Sequence, residues 1–171
     1  MKQTDFTQVL NRIITQLGEG AFLVSGNQSN PMTIGWAQFG IVWGKPICTV
    51  FVRKSRFSHN LMEENESFTV SVPLPQSMKK ELAFCGSKSG RDINKLDALK
   101  LTVAETPDNG RCLSGCCVHI VCRTVAKTDL SLKHINEGIH NKFYNTNQAT
   151  ADGDPHTMYF GEILSVYTDE E

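Results

Sequence analysis

The chain has 171 residues, 40% of them hydrophobic, with 17 basic against 18 acidic side chains and a formal net charge of −1. That length makes a single domain over 1–171, with a proper core, the economical expectation. The even charge balance argues against general attraction to nucleic acid or to an anionic membrane, so any basic function has to be local.

The first residues, Met1 to Asp5, carry no apolar signal core, and no later apolar run approaches a membrane span. A cytoplasmic protein is the default expectation. Phe6, Val9, Leu10, Ile13, Ile14 and Leu17 then recur at helical spacing, and Gly18 and Gly20 stop the helix. Ala21–Ser25 reads as a strand and 26–31 as a turn. Two strands follow, 32–39 and 47–53, joined around Gly44, Lys45 and Pro46. Ser55 is placed to cap a helix of about ten residues ending near Glu64 and Asn65.

Residues 68–72 alternate as a strand until Pro73 and Pro75 break it. The spacing then predicts a helix over 76–84, a polar loop over 85–92 and a short helical piece over 93–99. Strands at 101–106 and 116–125 flank a Pro-Asp-Asn-Gly turn at 107–110. Residues 130–147 are mixed and helical at first, 152–155 form a turn, and 158–167 read as the last strand. Many short strands with a few helices predict a mainly β protein, a small barrel with helices packed outside it.

Six cysteines, at 48, 85, 112, 116, 117 and 122, read as reduced thiols in a chain without a signal. The cluster from Cys112 to Cys122 invites a metal reading. However, 116–122 reads as a strand, which separates Cys116 from Cys122 by roughly 20 Å, too far for one ion. Small buried hydrophobes are the favoured reading, with redox-sensitive thiols as the alternative. His59, His119, His134 and His140 have no metal-ligand spacing either.

No G-x-G-x-x-G follows a strand, no G-x-x-x-x-G-K-[ST] is present, and Gly86 to Gly90 only superficially resembles a phosphate loop. Hydrolase signatures are also missing. The informative stretch runs from Asn30 to Asn60. Its second half, Arg53-Lys54-Ser55-Arg56-Phe57-Ser58-His59-Asn60, carries a strand into a helix. A phosphate wants N–H groups at a helix N-terminus, hydroxyl donors and Arg or Lys. Arg53, Lys54 and Arg56 supply charge there, and Ser55 and Ser58 supply hydroxyls.

The upstream element Asn30-Pro31-Met32-Thr33-Ile34-Gly35-Trp36, then Arg53 to Ser58, then Phe84-Cys85-Gly86-Ser87-Lys88-Ser89-Gly90-Arg91-Asp92, together resemble the flavin reductase-like family of FMN-binding split barrels. The three elements stand in that family's order, closest to its flavoredoxin-type branch, and the resemblance covers about Gly20 to Tyr167. It implies a split β-barrel, a homodimer and bound FMN, with NAD(P)H as transient co-substrate. Met32, Thr33, Ile34, Gly35 and Trp36 would line the flavin ring, and Asn30 would also contact the cofactor. Arg53, Ser55 and Ser58 would hold the phosphate, with Lys54 and Phe57 nearby. Ser58 stands where Thr is commoner, and the hydroxyl is kept. Cys85, Ser89 and Arg91 would approach the flavin, from the same chain or a partner subunit.

The resemblance further implies hydride transfer from a nicotinamide to the flavin, for which the protein supplies position and electronics. Thr33 is the expected hydrogen-bond donor near the reacting edge, and His156 the expected contact to nicotinamide or flavin. The alternative is a flavoredoxin-type electron carrier, which takes electrons from a partner protein instead. The residues choose neither between NADH and NADPH nor among acceptors.

Overall fold

The structure, a computed structural model, describes residues 1–144 and 153–169. Residues 145–147 of the mixed segment and Asp152 of the expected turn lie outside them. The chain begins β1 (Lys2–Thr4), α1 (Phe6–Leu17), β2 (Ala21–Ser25), β3 (Asn30–Ile34), β4 (Ala37–Val42) and β5 (Lys45–Arg53). It continues α2 (Phe57–Glu64), β6 (Ser67–Pro73), α3 (Lys79–Ser87), α4 (Lys95–Leu99), β7 (Val103–Glu105) and β8 (Arg111–Leu113). β9 (Cys116–Asp129), a 3₁₀ turn (Leu132–His134), α5 (Glu137–Phe143) and β10 (His156–Thr168) complete it.

One antiparallel sheet runs β3-β2-β6-β9-β10-β5-β4, with β1 added to β10. Its inner face buries Leu23, Met32, Val50, Val52, Val70, Ile120 and Tyr159, and α1 packs Val9, Ile13 and Leu17 on the same cluster. This is the expected mainly β architecture with helices outside. A second cluster, including Phe22, Leu82, Cys85 and Leu113, lies under α3 and the β7–β8 hairpin. No helix among the described residues is long and apolar enough to cross a membrane.

Four local readings change. The strand expected over 32–39 is two strands on opposite edges of the sheet, because the alternation of burial fails at Gly35 and Trp36, both exposed. Two residues of linker span no more than about 11 Å, so the outer strands β3 and β4 meet at that corner and the sheet curls into a split barrel. Ser55 does not cap α2: Arg56 takes the N-cap position without a side-chain bond, and Ser55 binds Asp154 instead. α3 runs through Cys85 to Ser87, where a polar loop was expected, with the Ser87 hydroxyl donating back to the Ala83 carbonyl at 2.9 Å.

The two long strands outrun their expected limits, β9 to Asp129 and β10 from His156, because they pair with each other as far as Thr157 opposite Asp129. The short β1 and β8 have too few residues to show a period of their own. All six cysteines are buried, as the reading of small hydrophobes required, and none is in a disulfide. Burial pushes the Cys85 and Cys112 thiols up to about 11, which removes them from thiolate chemistry at neutral pH.

Candidate functional site

Two cavities meet beside the corner where β3 turns to β4. One, of about 240 Å³, is lined by Met32 to Trp36, Phe51, Arg53, Arg56, Gly86 and His156. The other, of about 170 Å³, adjoins it at Met32 and Arg56 and is lined by Ser55, Phe57, Ser58, residues 87–91 and Lys95. A larger cavity of about 460 Å³ lies elsewhere, between the β2–β3 turn and the start of β6. It gathers none of the expected site residues, and Glu64 and Glu66 oppose Arg111 in its wall.

The smaller cavity has the chemistry of an anion seat. Arg56, Lys88, Arg91 and Lys95 line it with four serines, and no carboxylate does among the described residues. Arg56 donates to the Gly86 carbonyl at 2.6 Å and the Cys85 carbonyl at 3.1 Å. Lys95 is 3% exposed and donates to the Pro31 carbonyl at 2.8 Å and the Cys85 carbonyl at 3.2 Å. Both cations thus sit at the C-terminal end of α3, where the helix dipole favours positive charge. Burial nevertheless pulls the Lys95 amine down to about 8, and lowers Arg56 through the same cause with help from Arg53. A ligand anion would offset that desolvation.

Neighbouring groups complete the seat. Asn30 Nδ2 donates to the buried Ser58 Oγ at 2.9 Å, and the Ser58 hydroxyl proton has no acceptor among the described residues. Phe57 and Ser58, the first two residues of α2, line the same space, and no side chain caps that helix end. Gly90 lies in the wall of this cavity as a lid against Asn30 and Phe57. A Cβ there would stand 2.0 Å from Asn30 Oδ1 and 2.9 Å from Phe57, so only glycine lets the backbone come this close. Arg91 lies over the Phe57 ring at 5.7 Å.

Several expected contacts are spent elsewhere. Arg53 lines the larger of the two cavities, but it donates to the Asp154 carbonyl at 3.0 Å and the Phe143 carbonyl at 2.7 Å. Ser55 donates from its N–H and its Oγ to the Asp154 carboxylate, at 3.0 and 2.7 Å. Lys54 reaches out to Asp129 on the exposed side. The Cys85 thiol packs into the second core cluster, and only its carbonyl serves the site. Thr33 lines the ring-sized cavity, yet its hydroxyl donates to the Leu82 carbonyl at 2.6 Å rather than into the cavity.

Arg56 and Lys95 line the seat, whereas Arg53 lines only the ring-sized cavity and Lys54 lines neither. Sequence reasoning weighed Arg56 only as charge and missed Lys95. Asn94 caps α4 and sets Lys95 facing inward, between Ile93 and Leu96, which is a pattern any surface helix could show.

The ring-sized cavity is walled by aromatics. Trp36 meets Phe143 edge-on at 5.1 Å and His156 at 4.8 Å. His156 opens β10 rather than preceding it, is 7% exposed, and shares a 2.9 Å hydrogen bond between Nδ1 and the Tyr144 hydroxyl. Burial, and then the nearby Arg53, hold the imidazole down to about 4, so it is neutral at physiological pH. With Tyr144 as donor, the ring proton sits on Nε2.

An aromatic slot opening onto a carboxylate-lacking seat of cations and hydroxyls fits a flat ring with a phosphate on a short arm. Residues 15–171 match the family of the flavin reductase like domain. The chain belongs to that family. An uncharacterized protein of Archaeoglobus fulgidus is 27% identical over 146 residues, covering 84% of this chain and 68% of its own.

Among solved structures of the same fold, the flavoredoxin of Methanosarcina acetivorans superposes with a TM-score of 0.66 at 21% identity, over 88% of this chain and 68% of that one. The NADH:FAD oxidoreductase of Streptomyces globisporus does so with a TM-score of 0.61 at 14% identity, over 99% of this chain and 87% of that one. The split barrel and the flavin reductase-like family assignment both agree with the resemblance read from the three sequence elements.

Proposed function

We propose that this flavin reductase-like chain binds FMN and moves electrons between a nicotinamide nucleotide and a further acceptor. One observation carries the reading: the seat of Arg56, Lys95, Ser58 and Ser89, with no carboxylate in its wall among the described residues, adjoins the aromatic slot at Met32 and Arg56. A phosphate monoester carries about two negative charges near neutrality, which suits that donor set. When bound, the flavin supplies hydride and single-electron chemistry that no side chain offers.

The chain's residues supply the rest. Lys95, Arg56 and Ser58 hold the phosphate end, and the segment at Gly90 packs against Asn30 and Phe57 beside it. Residues 32–36 face the ring, with their backbone rather than the Thr33 hydroxyl available to it. His156 stays neutral and presents a ring edge beside Trp36 instead of a positive charge.

A flavoredoxin-type carrier is the second reading. It is supported by the likeness of the fold to the flavoredoxins of Methanosarcina acetivorans and Desulfovibrio vulgaris. Anaerobic mixing of the FMN-loaded protein with NADH and with NADPH separates the two. Rapid bleaching of the flavin supports the reductase. Bleaching only by a protein donor supports the carrier, and a colourless protein that takes up no FMN refutes both.

A further inference from the structure

Residues 153–155 lead into β10 and lie along the turn that joins β5 to α2. Three consecutive residues of that turn bind to them. Arg53 donates to the Asp154 carbonyl at 3.0 Å, and the Lys54 N–H to the Pro155 carbonyl at 3.3 Å. Ser55 donates twice to the Asp154 carboxylate, at 3.0 and 2.7 Å. The Asp154 side chain is 8% exposed. Its backbone stands at φ 49°, next to Gly153 at φ 71°. The left-handed region costs most side chains about 1–2 kcal/mol and is better tolerated by Asp. The chain accepts that conformation where it brings a carboxylate onto Ser55.

Both ends of the site hang on this link. Ser55 and Arg56 line the anion seat. Two residues past Asp154 stands His156, which lines the ring slot and packs on Trp36 at 4.8 Å. Arg53 adds a parallel tie, since its second nitrogen holds the Phe143 carbonyl at 2.7 Å and the Phe143 ring meets Trp36.

We infer that Asp154 is a positioning residue that couples the phosphate end of the site to His156 and Trp36 at the ring end. An anion seated against Ser58 and Arg56 orders the turn, the Asp154 carboxylate passes that order from Ser55 to residues 153–155, and His156 is fixed with them. Coupling between two sites can be carried by a chain of hydrogen-bonded groups, and the Ser55–Asp154 pair is the link that supplies one here. The inference rests on the proposed function only in taking the anion to be a flavin phosphate; the link itself responds to any phosphate.

The test is histidine NMR on the whole flavin-free chain, titrated with inorganic phosphate and separately with FMN. The His156 imidazole signals, assigned through His156→Gln, are expected to shift as the Gly90 amide reports filling of the seat. In Asp154→Ala, Gly90 still saturates while the His156 response falls at least about threefold, and Asp154→Asn restores part of it by keeping an acceptor for the Ser55 N–H. Ser55→Ala cuts the link from the other side and lowers the response without touching the strained residue.

An undiminished His156 response in Asp154→Ala and Ser55→Ala overturns the inference, as does a silent His156 in the unaltered chain while Gly90 saturates. A phosphate response without FMN binding overturns the flavin reading and leaves the coupling standing. A Gly90 amide indifferent to both ligands overturns both.

Discussion

Lys95 drives its amine onto the Pro31 carbonyl at 2.8 Å from a different helix, and does so almost completely buried. A buried ammonium held by carbonyls alone is expensive in an empty seat and useful in a filled one. Lys95→Met is therefore expected to weaken FMN by about 10- to 100-fold, the worth of one charge-assisted hydrogen bond, while riboflavin, which lacks the phosphate, loses little. Fluorescence-quench titrations of both flavins measure the contrast, and an equal loss for each would place the amine at the ring instead.

The same residue sets a pH limit. Its folded value of about 8 lies below the ordinary 10.5, so the folded chain sheds this proton first and gains stability as pH rises between those values. Phosphate binding wants the charged amine, so the opposite slope holds for affinity. FMN affinity is expected to fall above pH 8, by up to about tenfold per unit, and Lys95→Met should flatten the decline.

Gly90→Ala places a methyl 2.0 Å from Asn30 Oδ1 and 2.9 Å from Phe57. Either the lid lifts or Asn30 swings off Ser58. We expect a stability loss of about 1–3 kcal/mol and weaker FMN binding, seen by thermal melts with and without the flavin. A larger apparent stabilisation by FMN than in the unaltered chain would contradict the lid.

Thr33→Val tests whether the hydroxyl serves the fold or the flavin. Loss of its bond to the Leu82 carbonyl should cost about 1 kcal/mol, a fall in Tm of roughly 2–4 °C at this chain length. The flavin reduction potential should stay put. A shifted potential at unchanged Tm would return Thr33 to the ring edge.

His156 predicts an acid limb. Its folded value near 4 lies below the ordinary 6.5, so stability from the neutral ring is complete above 6.5 and is lost as pH falls toward 4. His59 and His119 are lowered by burial with the same sign. Denaturant titrations of His156→Gln should show a shallower slope in that window, with the remainder left to the other two.

Much of this architecture could be read from residue patterns, and the exceptions share a cause. α1 is legible because Phe6 to Leu17 repeats at helical spacing, and β2, β5 and β6 because their apolar runs end at turns. The Asn30–Trp36 and Arg53–Ser58 elements also come together as expected. What pattern could not supply was partnership. Asp154 lies roughly a hundred residues from Ser55, and its claim on the Ser55 hydroxyl displaced the helix cap expected there. Lys95 looks like any helical lysine until Pro31 and Cys85 are seen beside it. Thr33 carried the right residue type, but its proton belongs to a carbonyl on α3.

β3 and β4 are joined through Gly35 and Trp36 and share no ladder among the described residues. The ring slot opens at that seam. No β3–β4 hydrogen bond spans its mouth among the described residues, so Gly35 and Trp36 shape the opening apart from the ladders that hold the barrel. A change at position 35 or 36 alters what fits, while the sheet that carries both edges keeps its register.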